Sequence, residues 1–493
     1  MPANAELAKP SKKRKARWFK ISDDRFPGGL VSAILHGGLL LILALWTIIE
    51  EPRNRMVIEG RFASEAPVEI TLPQPQERQE ATVDEPDMPS ADSPQIQWSR
   101  VELPSLETSP SKLVDPVQTS IDAMLAEVPL EVSKSLARMP SNADIQGREE
   151  GKRQELAEKY GANAASEQAV ASALEWIVAH QRNDGSWDFD LTKDPCNGRC
   201  GNPRHNPSDM ATPKTAATGL ALLPLLGSGH SHLNGRYREN VSRGIYYLRS
   251  QMRDAQSGRE LMHGSMYGHG IATLAIAEAF AMTKDEELRD MLRDLHDFIV
   301  MAQHPKGGWR YKPGQPGDMT VTGWQVLALK SSQIGGIPMP SLVHVRAEEF
   351  VQSLSSEHGT RFGYLGPGAE PTPTAVGLLL QMYLGAPPRN SRIILGCDYL
   401  YDLGPSKTDV YFNYYATMTL HHARYYGFPE WNAKLRDYLV ATQATKGHEA
   451  GSWHFRDHFG DVGGRLYSTA MCALVLETYY RYLPLWEEAE FPL

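Results

Sequence analysis

The chain has 493 residues, of which 41% are hydrophobic and 22% charged, with 41 Gly, 34 Pro and 4 Cys; this excludes a wholly disordered chain, a collagen and a disulfide scaffold. Fifty Lys and Arg against 59 Asp and Glu give a formal net charge of -9. No global excess of positive charge is left to attract phosphates, so nucleic acid is not an expected partner.

Residues 1–27 form a basic tail carrying Lys12, Lys13, Arg14, Lys15, Arg17 and Lys20. From Gly28 to Ile49 there is no Asp, Glu, Lys or Arg, and Leu and Ile dominate. At about 1.5 Å per residue this stretch reaches roughly 33 Å as a helix, enough to cross a hydrocarbon core. The basic flank predicts a cytoplasmic start and a single-pass anchor in the inner membrane, with everything after Glu50 extracytoplasmic or periplasmic. Thr47-Ile48-Ile49-Glu50-Glu51-Pro52 offers no small-residue cleavage site, which favours a retained anchor. Ser32 and His36 share one face of the span, where polar groups are expensive. That Ser-x3-His pair resembles the anchor of TonB-type energy transducers, and the resemblance implies contact with a proton-driven membrane motor. The other reading is a solvated His36 at interfacial depth.

Residues 50–161 read as an acidic, Pro-rich linker, with ten Pro and thirteen Asp and Glu between 51 and 120. Apolar spacing at Ile121, Met124, Leu125 and Val128 allows short helices near its end. The linker holds the folded part near a membrane without pressing it onto the surface.

Residues 162–493 carry a repeat of about fifty residues. Segments rich in Ala, Gly, Thr and Leu are predicted over 215–226, 267–282, 320–332, 372–384, 411–426 and 467–483. Each follows a more amphipathic, charged segment, over 167–181, 238–251, 287–303, 341–354, 391–403 and 432–443. An apolar small-residue helix must be surrounded, whereas an amphipathic one covers it and faces water. Six such pairs leave unburied edges unless the array closes, which predicts an all-α (α/α)6 toroid with the small-residue helices inside.

A finer motif recurs at the ends of the amphipathic segments. Gln181-Arg182-Asn183-Asp184-Gly185-Ser186-Trp187 and Gln303-His304-Pro305-Lys306-Gly307-Gly308-Trp309 are both Gln-x3-Gly-x-Trp, and Gln443 with Gly451-Ser452-Trp453 is a looser copy. This resembles the repeat of the squalene cyclase and protein prenyltransferase superfamily, whose members share an α/α toroid. The resemblance implies that these Gln, Gly and Trp residues are structural.

The side chains just before each inner helix ring one mouth of the toroid and form the candidate ligand-binding set: Asp209, Tyr267, His269, Thr320, Glu370, Tyr411, Asn413, Tyr414, Tyr415 and Tyr467, with Asp318 as the candidate catalytic acid. For any one Asp or Thr, helix capping is the competing explanation. Terpene cyclases of the superfamily protonate their substrate with an Asp in Asp-x-Asp-Asp-Thr-Ala or Asp-Cys-Thr-Ala-Glu. Here the stretch is Asp318-Met319-Thr320-Val321-Thr322, so the groups that would support such an acid are missing. The Asp-x-Cys zinc pair of prenyltransferases is absent as well. Cys196-x3-Cys200 reads as a local disulfide in an oxidising compartment in preference to a metal site, and Cys397 and Cys472 read as core residues. No cofactor and no metal are predicted. The leading expectation is a membrane-tethered ring that binds an isoprenoid, peptide or glycan ligand, or a partner, without standard catalysis. The alternatives are an isoprenoid cyclase using Asp318 and a glycan-active enzyme using Asp209, Asp318 and Glu370.

Overall fold

The computed structural model describes residues 147–201 and 213–481. The predicted anchor, most of the predicted linker and the loop bearing Asp209 lie outside the described residues, and with them Ser32 and His36. No helix among the described residues is long and apolar enough to cross a membrane.

After α1 (Glu150–Tyr160), helices alternate between two classes. The outer ones are α2 (Ala164–Ala179), α4 (Arg238–Ser250), α6 (Glu286–Ala302), α8 (Ser341–Ser353), α10 (Ser391–Leu403) and α12 (Phe428–Thr442). The inner ones are α3 (Lys214–Gly227), α5 (Met266–Thr283), α7 (Met319–Gly335), α9 (Pro371–Tyr383), α11 (Val410–His422) and α13 (His458–Leu476). A short α14 (Thr478–Arg481) follows, and two two-stranded hairpins decorate the loops. Each inner helix packs on the next, and α13 packs back on α3. The array is therefore closed, and the fold is an (α/α)6 toroid.

The two classes follow from composition. In α5 nearly every residue is buried, from Met266 through Ala281, because a helix inside the ring has neighbours on all sides. In α6 burial falls on Leu288, Met291, Leu292, Leu295, Phe298, Ile299 and Ala302, the one-sided stripe of an outer helix. Small residues let the inner helices approach one another: a Cβ on Gly219 would lie 2.7 Å from the Ala272 Cα.

The recurring motif is the joint between neighbouring pairs. The indole N–H groups of Trp187, Trp309 and Trp453 donate to Ile177 O, Ile299 O and Leu439 O at 2.7, 2.8 and 2.8 Å. Their backbone N–H groups donate to the hydroxyls of Thr218, Thr322 and Thr469 at 3.0–3.1 Å. The side chains of Gln181, Gln303 and Gln443 reach the next outer helix, donating to Asn240 O, Val343 O and Ala169 O at 2.9, 2.9 and 2.8 Å. The last of these joins the sixth pair to the first. Gly185, Gly307 and Gly451 adopt φ of 87°, 79° and 91°, and a Cβ there would strike the carbonyl of Arg243, Arg346 or Ser172. Glycine is thus required both by conformation and by close approach. Phe362 replaces Trp in a fourth copy, where its N–H donates to Thr374 Oγ1 at 3.0 Å.

Two boundaries differ from the sequence expectation. The compact part begins before residue 162, since α1 packs against α14 and Arg148 is buried. The last inner helix begins at His458 instead of near Tyr467, with a non-helical Gly464 (φ 61°, ψ -151°) inside it; a glycine takes up this kink where other residues would be strained.

Candidate functional site: the mouth of the ring

The N-terminal turns of the inner helices converge on a cavity of about 80 Å³. Tyr267 and Ile271 come from α5, Trp324 from α7, Tyr411 from α11, Phe459 and Tyr467 from α13, and Phe189 from the loop after α2. Three of the predicted residues, Tyr267, Tyr411 and Tyr467, thus meet there. Phe189, Ile271, Trp324 and Phe459 also line it and are not among the expected residues; they fall outside the positions just before the predicted inner helices, and nothing in their spacing marks them as lining rather than core. The Tyr411 and Phe459 rings lie 4.6 Å apart and those of Tyr411 and Tyr415 4.9 Å. Burial holds the Tyr267, Tyr411 and Tyr467 phenols neutral, well above the usual range. The Tyr467 hydroxyl makes no hydrogen bond among the described residues.

Asp318 is fully buried and is the N-cap of α7. Its Oδ1 accepts from Val321 N at 2.8 Å and from Thr320 Oγ1 at 3.0 Å, while Arg310 Nε stands 3.7 Å from Oδ2. Burial raises its pKa above the ordinary carboxylate value, against the lowering effect of these partners. Thr320 Oγ1 in turn lies 2.6 Å from the Tyr267 hydroxyl. With the Thr320 proton given to Asp318, Tyr267 is left to donate to Thr320. Asp318 therefore reaches the cavity only through a chain of two hydroxyls.

The capping explanation also accounts for neighbouring acids. Asp409 caps α11 through Phe412 N at 2.8 Å and accepts from Thr372 Oγ1 at 3.1 Å. Asp457, which sequence reasoning passed over, caps α13 through Gly460 N and accepts from Val410 N at 2.9 Å. Burial, with help from Asp409, pushes its carboxyl up to about 6.

The remaining candidates point elsewhere. His269 faces the outer layer: Nδ1 accepts from Leu261 N at 3.1 Å and Nε2 donates to Leu295 O at 3.0 Å. Burial lowers its pKa to about 4, so it is neutral. Glu370 is exposed and accepts from Tyr364 N at 2.9 Å. Asn413 holds the preceding loop by bonding Ser406 N and O at 2.8 and 2.7 Å. Tyr414 stacks on Trp324 at 6.0 Å, and Tyr415 meets the same indole edge-on at 6.2 Å; neither lines the cavity. Cys397 and Cys472 are buried core residues, as read from the sequence. Cys196 and Cys200 are free thiols, at odds with the expected disulfide, and their sulfurs face histidines.

The other end of the ring is plugged. Glu278 near the end of α5 accepts from Arg148 Nη1 at 3.0 Å and Arg481 Nη2 at 2.7 Å, and Arg148 Nε donates to Arg481 O at 3.1 Å. Glu477, at the end of α13, accepts from Ser228 Oγ at 2.8 Å, and burial pushes its pKa up to about 8. All four ionisable side chains are buried.

No protein-family model and no curated protein matches the chain. Among solved structures, an inactive variant of the alpha-1,6-mannanase GH76A of Salegentibacter sp. HEL1_6 matches with a TM-score of 0.46 at 10% identity, over 64% of this chain and 99% of that one. A variant of the type II terpene cyclase MstE from Scytonema matches with a TM-score of 0.45 at 12% identity, over 65% and 98%. An alpha-amylase from Clostridium perfringens matches with a TM-score of 0.42 at 11% identity, over 64% and 98%. The closed helix array itself establishes the α/α-toroid architecture implied by the squalene cyclase and prenyltransferase resemblance.

Proposed function

We propose that the protein is a membrane-tethered binding ring whose mouth takes a short apolar group, such as a Leu-type side chain presented by a peptide or partner protein, without cyclising or prenylating it. The observation that carries this reading is the cavity itself. It holds about 80 Å³ between apolar and aromatic walls, less than the roughly 150 Å³ that accommodates benzene in an engineered protein cavity. An isoprenoid chain needs a pocket of about 300 Å³ or more, and here the plugged far end gives no room to extend. The tether and extracytoplasmic placement rest on the sequence of residues 1–161, and motor coupling through Ser32 and His36 belongs to the same proposal.

A second reading is supported by the hydrogen-bonded chain from Asp318 through Thr320 to Tyr267. It makes the ring an isoprenoid cyclase that protonates its substrate through these groups. Incubating the full chain with squalene and analysing products by mass spectrometry separates the two. The binding reading predicts no cyclised product; a product formed by the wild type and lost in Asp318→Asn would establish the cyclase and overturn it.

A further inference from the structure

Four metal-binding side chains from three separate stretches meet at the seam where the first and last helix pairs join. His180 ends the outer helix of the first pair, Cys196 and Cys200 lie in the loop that follows, and His448 lies in the loop before the last inner helix. One ligand atom from each falls within 4.8 Å of all the others. Cys200 Sγ stands 3.4 Å from His180 Nε2 and 3.2 Å from His448 Nδ1, and Cys196 Sγ stands 3.8 Å from the same Nδ1. A tetrahedral zinc with bonds of about 2.3 Å to sulfur and 2.0 Å to nitrogen places those atoms about 3.5 Å apart. We propose that His180, Cys196, Cys200 and His448 bind one zinc ion that staples the first repeat to the last and locks the ring closed.

The surroundings are built for this role. His180 Nδ1 lies 2.6 Å from Trp176 O, so it donates there and leaves the Nε2 lone pair facing the sulfurs; this is the outer contact that fixes the tautomer of a metal-bound histidine. The Trp176 indole stacks on the same imidazole with centroids 3.9 Å apart. Between the cysteines, Asn197 and Gly198 both adopt left-handed conformations, with φ of 52° and 73°. This turn, closed by Arg199 N donating to Cys196 O at 3.2 Å, lets both sulfurs face the same histidine. Cys196, Cys200 and His180 are 1%, 2% and 3% exposed. With four protein ligands, three of them buried and His448 half-buried, the site leaves no open position, which is the character of a structural zinc and not a catalytic one. Binding replaces two thiol protons, released to solvent, with one Zn²⁺, so the two thiolates balance the charge of the ion. The span that the ion would close runs through all six helix pairs, from His180 to His448, 268 positions apart in sequence.

The test is the zinc content of the full chain, purified in detergent without chelator or polyhistidine tag and measured by inductively coupled plasma mass spectrometry. The proposal expects one zinc per chain, retained in Cys397→Ser and reduced at least tenfold in Cys196→Ser/Cys200→Ser and in His448→Ala. His448→Cys, which keeps four ligands, should retain it, and this separates a lost ligand from a misfolded ring. On the wild type, a strong chelator should release the zinc, expose two further thiols to a thiol reagent and lower the melting temperature. A metal-free chain, a Cys196–Cys200 disulfide in non-reduced peptide maps, or unchanged zinc in the double serine variant would each overturn the proposal.

Discussion

The two ends of the ring are made by the same six inner helices and are built on opposite principles. At the mouth, helix N-termini are satisfied by Asp318, Asp409 and Asp457 acting as caps, and the space between them is closed by aromatic rings around a small cavity. At the base, the C-terminal ends of α3, α5 and α13 are sealed by Arg148, Arg481, Glu278 and Glu477, all buried. An apolar wall tolerates a void or an incoming apolar group, whereas a buried ion network tolerates neither, because every charge in it needs its partner. The difference leaves space at the mouth and closes the base.

The largest effect should come from breaking the base. Glu278→Ala leaves Arg148 and Arg481 without their shared carboxylate and should cost about 3–5 kcal/mol in denaturant unfolding; a loss below about 1 kcal/mol would mean that the plug is dispensable. The mouth should instead answer to pH. Because the Asp457 carboxyl is held up at about 6 in the folded ring, against about 3.9 when unfolded, the folded state binds that proton more tightly. Its contribution to stability is full below pH 4 or so, declines as pH rises through about 6, and is flat above, amounting to about 1–3 kcal/mol. Asp457→Asn should flatten that part of the stability profile, and an unaltered profile would assign the titration to another group. Asp318→Asn keeps one acceptor oxygen for the α7 cap and should cost about 1 kcal/mol or less in thermal unfolding; a loss above about 3 kcal/mol would show that its negative charge, and not its capping oxygen, holds the mouth. Smallest of all, Tyr467→Phe removes a hydroxyl with no hydrogen bond among the described residues and should change stability by less than about 0.5 kcal/mol; a greater loss would reveal a partner for that hydroxyl.

The ring was legible in the sequence because burial on all sides and burial on one side demand different compositions, and α5 and α6 show both plainly. The Trp joints were legible where Gln, Gly and Trp all survive, and illegible at Phe362, where only the Thr374 hydrogen bond marks the copy. The mouth was half legible: tyrosines stood out beside predicted helix starts, but capping geometry decides whether an Asp faces the cavity or its own helix, and one-dimensional spacing does not record that choice. The base and the seam were not legible at all. Arg148 meets Arg481 across 333 positions and Cys196 meets His448 across 252, and those distances collapse only when the ring closes. For the same reason Cys196 and Cys200 read as a local pair until His180 and His448 came beside them.

Ala216 lines the cavity at 6% exposure, and Ala216→Phe fills it at an overpacking cost of about 1–3 kcal/mol. The most direct test of the binding account is a calorimetric titration of the full chain, wild type and Ala216→Phe, with a short peptide ending in Leu and the same peptide ending in Asp. The account predicts saturable binding of the Leu peptide to the wild type alone; equal binding of both peptides, or equal binding by both proteins, would contradict it.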